Sequence, residues 1–434
     1  MNQARFHDHE RNGGAGGPGP SRSWNSALWQ SLLPLGRDDQ TGGYRRYSFT
    51  AADAACRDWF LRAAEQRGLR AECDQNANLW AWWDPPPGGG ASPPDRTGAI
   101  VTGSHLDSVP DGGAFDGPLG VVSAFAAIDL LRERGQVPGR PVGVVAFAEE
   151  EGARFGLACL GSRLLAGLVA ADTARALTDS AGTTLADAMA GAGFDPDLIG
   201  PDPDRVRGIA AFIELHIEQG SALAGMSAAV GVAKSIWPHG RWRIDFAGRA
   251  DHAGTTRLAD RRDPMLPYAA TVLAARTAAA ECGALATFGK VLAEPGGSNA
   301  ICSAVRCWLD ARAPAEETLS RLVSQVLAVA GRSAAEHGVR MTSRRESFTP
   351  VVDFDPDLRA RVRAALAARG IDAPVLPTGA GHDAGVLAAR LPTAMLFVRN
   401  PSGVSHSPQE HADPQDCAAG VAALAAVLEE LTCR

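Results

Sequence analysis

Long apolar runs are missing from the 434-residue chain. The longest stretches, such as VVSAFAAI from Val121 to Ile128, fall well short of the ~20 residues that cross a bilayer, so no transmembrane segment is expected. A basic excess is missing too. Lys and Arg number 42 against 49 Asp and Glu, a net charge of −7, which argues against nucleic acid as a partner. The eight cysteines form no CxxC pair, so neither a disulfide framework nor a thiolate zinc knuckle is indicated. The opening MNQARFHDHERNGGAGGPGPSRS holds no apolar h-region. Residues 1–22 read as a polar, disordered tail, and the expected location is cytoplasmic.

What is present is a globular composition, 45% hydrophobic and 21% charged, long enough for roughly two or three domains. Apolar residues at helical spacing from about Thr50 to Arg70 predict an amphipathic helix that stops near Gly68. PPPGGGASPPDRTG, Pro85 to Gly98, is a loop by composition, and AIVTG from Ala99 predicts a short buried strand that delivers the chain to His105. A helix from Leu119 to Arg134 and a strand from Pro141 to Ala148 complete a βαβ unit, hence a parallel sheet with ligand sites beyond the carboxyl ends of its strands. AAFIELHI, Ala210 to Ile217, is a further strand. Beyond Gly220 the pattern changes to alternating strands (Arg241 to Gly248, Val305 to Arg312) and helices (Met265 to Ala280, Glu316 to Ala330), which predicts a smaller α+β sandwich. From Val351 the α/β pattern returns, with a helix near Pro356 to Arg369, a strand from Thr393 to Val398 and a last helix after Asp413.

The residues that carry chemistry stand at these strand ends. GSHLDSV offers His105 with Asp107 two residues on, a carboxylate suited to accept the imidazole's second N–H if the ring binds metal. GGAFDGPLG offers Asp116. AEEEGARFG sets Glu149, Glu150 and Glu151 directly after a strand, and three adjacent carboxylates repel one another unless cations or water compensate. ELHIEQG adds His216, and GVSHSPQEH adds His406. Together they form a His/Asp/Glu set typical of zinc or manganese. GGAFDGPLG lacks both the GxGxxG spacing and the Walker ending, so a phosphate loop is the minor reading.

In order and context, SHLDSV, GGAFDGPLG, EEEGARF, ELHIEQG, DHAGTT, GAGHDA and GVSHSPQE resemble the amidase (hydantoinase/carbamoylase) branch of the di-zinc aminoacylase/carboxypeptidase superfamily. That branch includes N-carbamoyl-L-amino acid hydrolases, allantoate amidohydrolases and β-ureidopropionases, and the match runs from about Gly42 to the C-terminus. The resemblance implies an α/β fold: a di-metal, exopeptidase-like catalytic domain with a mostly parallel central sheet (23–224 and 345–434). An inserted α+β sandwich (225–344) would serve as lid and dimerisation domain.

The resemblance also implies roles. His105, Asp116 and His216 would hold one divalent ion, and Glu151 and His406 the other, with Asp116 bridging both. Two such ions, zinc or manganese, form a strong Lewis acid toward a water between them. Glu150 would be the general base. His252, presented to the neighbouring subunit's site, would stabilise the oxyanion, with His382 as a second polar residue over the scissile group. Gln219 would meet the ureido end, and Asn299 and Arg312 would grip the substrate carboxylate, for which a planar guanidinium is well shaped. The implied reaction is hydrolysis of the carbamoyl C–N bond of a ureido acid, in a homodimer, with release of ammonia and CO2. The alternatives are an N-acyl or N-formyl amino acid amidohydrolase or a dipeptidase on the same scaffold, and a catalytically silent metal-binding or assembly protein.

Overall fold

Two larger sheets and a two-stranded one organise the chain, whose computed structural model describes residues 24, 26–86 and 95–433. The expected 1–22 tail and the middle of the Pro85 to Gly98 loop lie outside the described residues. Numbered along the chain, the first strands are β1 (Arg70–Cys73), β2 (Leu79–Trp83), β3 (Ala99–His105), β4 (Val142–Phe147), β5 (Ile209–Ile217), β6 (Val230–Ile236), β7 (His239–Ala247) and β8 (Asp251–His252). They continue as β9 (Leu285–Glu294), β10 (Ala300–Ile301), β11 (Ala304–Arg312), β12 (Arg340–Thr349), β13 (Val352–Asp353), β14 (Val375–Thr378) and β15 (Thr393–Val398).

The larger sheet has nine strands in the order β1-β2-β4-β3-β5-β15-β6-β13, with β14 also on β6. Its centre, β4-β3-β5-β15, is parallel throughout. Antiparallel pairs flank it, β2 on β4 at one side and β6 on β15 at the other. The central strands are near-continuous apolar runs because both faces are covered. In β5, Ala211, Ile213, Leu215 and Ile217 pack on one side with the Pro118–Glu133 and Pro414–Thr432 helices, while Phe212 packs on the other. The two-residue period then puts Glu214 and His216 on the Phe212 face.

The Ala51–Glu65 helix forms where expected, though Leu61, expected on its apolar stripe, is exposed. Thr50 caps it by accepting from Asp53 N at 3.4 Å, and Cys56, Phe60 and Ala64 form its buried stripe.

The smaller sheet, β12-β7-β11-β9, is wholly antiparallel, and its buried side packs on the Met265–Cys282 and Glu316–Glu336 helices. β7 and β11 alternate buried and partly exposed residues, as a one-sided sheet requires. Expected boundaries at 225 and 344 need correction. β6 belongs to the large sheet through its pairing with β15, and position 344 falls inside β12 of the small one. The chain crosses between sheets at Trp237–Pro238, after β6, and again at Pro350–Val351, before β13 returns to β6. Among the described residues, no helix is long and apolar enough to cross a membrane.

Candidate metal centre

All four parallel central strands deliver functional side chains at their carboxyl ends. β3 ends on His105, β4 leads directly into Glu149–Glu151, β5 carries His216 as its penultimate residue, and β15 opens the loop that holds His406. This is where an open α/β sheet leaves a crevice. Asp116 comes from the loop after β3, and its approach depends on Gly117. A Cβ there would stand 2.4 Å from the His105 ring, and φ is +84°.

Asp116 joins two groups of donors. Its Oδ1 lies 3.2 Å from His216 Nε2 and 3.5 Å from His105 Nε2, and its Oδ2 lies 3.4 Å from His406 Nε2. His406 Nε2 is also 3.6 Å from Glu151 Oε2. The donors of His105, Asp116 and His216 therefore fall within 4.8 Å of one another, as do those of Asp116, Glu151 and His406. The first group is buried, whereas His406 is half exposed at the rim.

The donor set fits divalent ions on its own chemistry. His105 Nδ1 lies 3.1 Å from the Asp107 carbonyl and His216 Nδ1 lies 2.9 Å from the Ile217 carbonyl, so in its neutral form each ring keeps its proton there and turns a lone pair outward at Nε2. Both Nε2 atoms are buried without a hydrogen-bond partner. Burial opposes charge on His105, but Glu150, Asp107 and Asp116 outweigh it and hold the metal-free ring well above its ordinary pKa. Burial and the Asp116 carboxylate together push Glu151 up to about 7. The carboxylates gathered round His105 suit a cation.

Glu149 and Glu150 differ sharply. Glu149 takes a left-handed conformation, φ 54°, and its Oε1 accepts from the backbone N–H groups of Arg154 and Phe155 at 3.0 and 2.8 Å. It ties down the following turn. Glu150 turns Oε2 to within 3.6 Å of His105 Nε2, and its Oε1 takes the Cys159 thiol at 3.2 Å. Burial holds its carboxyl well above the usual carboxylate range.

Other expected residues divide into two sets. His382 is at the centre, its ring centroid 4.5 Å from that of His216, and burial together with that neighbour keeps its pKa well below the ordinary imidazole value. Gln219 is there as well, its Nε2 2.6 Å from Asp116 Oδ2 and 3.2 Å from His406 Nε2. His252, Asn299 and Arg312 are carried by the smaller sheet region. Among the described residues, no hydrogen bond, ion pair or ring contact joins them to the His/Asp/Glu cluster. His252 is exposed on β8, and Ala253 N donates to the Asn299 carbonyl at 3.1 Å. Arg312 bonds Asp310 and donates to the Gly379 carbonyl at 2.7 Å, just ahead of His382 in the chain.

Asp107 is corrected in detail. His105 Nδ1 uses its main-chain carbonyl, while the carboxylate accepts from Glu150 N and Glu151 N at 3.2 and 3.0 Å and lies 3.5 Å from His105. Cys159, Glu214, Ser405 and Glu410 also line the centre, and sequence reasoning gave them no role. The last three sit inside motifs already singled out, which was the one available signal.

Known proteins resemble this chain along most of its length. The sequence pattern of Peptidase family M20/M25/M40 matches residues 101–430. The chain belongs to this family. An N-carbamoyl-L-amino acid amidohydrolase of Geobacillus stearothermophilus is 37% identical over 406 residues, covering 92% of this chain and 96% of that protein. An allantoate amidohydrolase of Escherichia coli K12 is 31% identical over 401 residues, covering 91% and 94%. The structure of a hydantoinase/carbamoylase-family amidase from Burkholderia vietnamiensis superposes with a TM-score of 0.83 at 29% identity, over 96% of this chain and 98% of that one. Like these M20 relatives, the chain is a hydrolase of carbon–nitrogen bonds.

Proposed function

We propose that the chain is a metal-dependent amidohydrolase that cleaves the carbamoyl C–N bond of a ureido acid, either allantoate or an N-carbamoyl-L-amino acid. The observation that carries this reading is the sharing of Asp116 between two donor triads at the carboxyl ends of the parallel strands. His105, Asp116 and His216 would hold one divalent ion and Asp116, Glu151 and His406 the second, zinc or manganese by donor type. When bound, such ions supply Lewis-acid chemistry, polarising the scissile carbonyl and acidifying water.

The chain's own residues do the rest. Glu150 Oε2 takes the proton of the attacking water and returns it to the leaving nitrogen, so the bond to NH2 breaks and ammonia departs. The carbamate that remains falls to CO2 and amine. Gln219 orients the ureido end, and His382, kept neutral by its burial, lies over the scissile group. Asn299 and Arg312 hold the substrate carboxylate.

His252 acts in the neighbouring subunit of a homodimer. Its Nδ1 accepts from Gly254 N and Thr255 N at 3.0 and 3.2 Å, so the ring offers an Nε2–H outward, suited to an oxyanion. The edges of the smaller sheet support a dimer through this domain. β12 carries Arg340, Arg344, Arg345 and Glu346, whereas β9 exposes Leu285, Val291 and Leu292. The apolar edge suits a second copy. All eight cysteines are free, as the reducing cytoplasm requires.

The test is product identity. Zinc- and manganese-loaded protein is given allantoate, N-carbamoyl-L-amino acids, and N-formyl and N-acetyl amino acids. Ammonia from a ureido acid is the expected result. Turnover of the acyl substrates alone, seen as free amine without ammonia, would move the chain to the acyl-amino-acid class.

A further inference from the structure

Glu410 belongs to neither donor triad, yet it touches the loops that carry both ends of the second one. It lies in the loop between β15 and the final helix and is 5% exposed. Its Oε2 accepts from Phe115 N at 3.0 Å and from Asp116 N at 2.9 Å, across 295 and 294 positions of chain. Its Oε1 accepts from Ser405 Oγ at 3.0 Å, the residue next to His406. The opposing loop is shaped to admit it, since a Cβ on Gly113 would stand 2.3 Å from Glu410 Oε2.

The Ser405 hydroxyl completes the link. It has one proton and two acceptors in reach, Glu410 Oε1 and Asp116 Oδ2, the latter at 3.2 Å. While Glu410 takes that proton, Asp116 Oδ2 keeps its lone pairs for an ion. One carboxylate thus fixes the main chain of Asp116, the position of the His406 loop and the direction of the hydroxyl between them.

We propose that Glu410 is a positioning residue that sets the spacing of Asp116 and His406, and with it the affinity of the Asp116–Glu151–His406 triad for its divalent ion. The inference rests on the reading of that triad as an ion site.

The test is a zinc titration of full-length wild type, Glu410→Gln, Glu410→Ala and Ser405→Ala against a chromophoric chelator, with thermal melting as the fold control. Wild type should bind two equivalents. Glu410→Ala should weaken one of them by ~10–100-fold, the usual cost of losing an outer-shell partner. Glu410→Gln should recover part of that loss, because its amide oxygen still accepts from Phe115 N and Asp116 N, while its NH2 donates to Ser405 Oγ and turns the hydroxyl proton toward Asp116 Oδ2. Ser405→Ala removes one link of the chain and should weaken the same equivalent by roughly tenfold, which keeps the inference open to refutation if Glu410→Ala fails to fold. Wild-type affinity for both equivalents in Ser405→Ala, or in a folded Glu410→Ala, overturns it, as does a Gln variant no better than Ala. Fewer than two equivalents in wild type would instead overturn the two-ion reading beneath it.

Discussion

The thiol of Cys159 stands 3.2 Å from Oε1 of Glu150, fully buried, with its own backbone N–H donating to the Glu150 carbonyl at 2.6 Å. Burial and the nearby Glu150 and Asp383 carboxylates hold the thiol well above its ordinary pKa, so it stays protonated and donates. That fixes one oxygen of Glu150 and leaves the other facing His105. Cys159→Ala should therefore lower kcat roughly fivefold, about 1 kcal/mol for one lost hydrogen bond, with KM unchanged. Cys159→Ser keeps a donor and should retain most of kcat. Steady-state kinetics of the two variants decide it, and equal kcat in Ala and wild type would leave the thiol as packing alone.

His252 and Glu150 act from different subunits in the proposed dimer, and this predicts complementation. Each of His252→Ala and Glu150→Gln alone should be nearly inactive. Mixed after dissociation and reassembly, they should recover about a quarter of wild-type activity, because half the dimers are mixed and each mixed dimer has one intact site. No recovery in mixtures shown by mass spectrometry to contain mixed dimers would assign His252 to its own subunit or to no site.

Arg312 lies 2.8 Å from Asp310 and 2.7 Å from the Gly379 carbonyl, with the planar fork a carboxylate needs. Arg312→Lys should raise KM for a carboxylate substrate about tenfold and leave kcat within roughly twofold, since the ammonium cannot make the bidentate contact. An unchanged KM would reduce Arg312 to a strut between the smaller sheet and the His382 loop.

Glu72 carries a pH dependence that is independent of the candidate metal centre. Burial pulls its pKa up, but the hydrogen bonds and charges of Arg205 and Arg96 outweigh this and leave it below the ordinary 4.5. The folded chain then binds fewer protons than the unfolded one, so the stabilisation is fully present above 4.5 and is lost as pH falls through the lowered value. Glu72→Gln should cost ~1 kcal/mol at neutral pH and flatten the acid loss. Thermal melting between pH 7 and 3 checks this, and parallel curves for variant and wild type would refute it.

How much was legible follows from where the signals lie. Of the candidate ligands, His105, His216 and Glu151 could be read because they stand at or just after the carboxyl ends of largely apolar strands, whereas Asp116 and His406, in the loops after β3 and β15, could be read only from their motifs. In the sequence, only the register of the resembled motif tells the adjacent Glu149 and Glu150 apart. Their distinction comes from the left-handed turn at Glu149, which aims one carboxylate at the backbone and leaves the other to face His105. The edge of the inserted domain was misjudged because VGVAKSI of β6 is as apolar as any strand of the smaller sheet, and only its pairing with β15 assigns it. β9 was missed because only Ala286 and Phe288 pack on the core and the rest of the strand is exposed, which leaves little alternation to read. Glu410 was invisible in its role because its partners lie almost 300 positions away.

Ammonia release from a ureido acid by wild type and Glu150→Gln, at matched and measured metal content, tests the central claim most directly. The account predicts one ammonia per substrate consumed by wild type, and a fall of ~100-fold or more in the variant with its bound metal unchanged. Full activity in Glu150→Gln, or substrate consumed without ammonia, would contradict it.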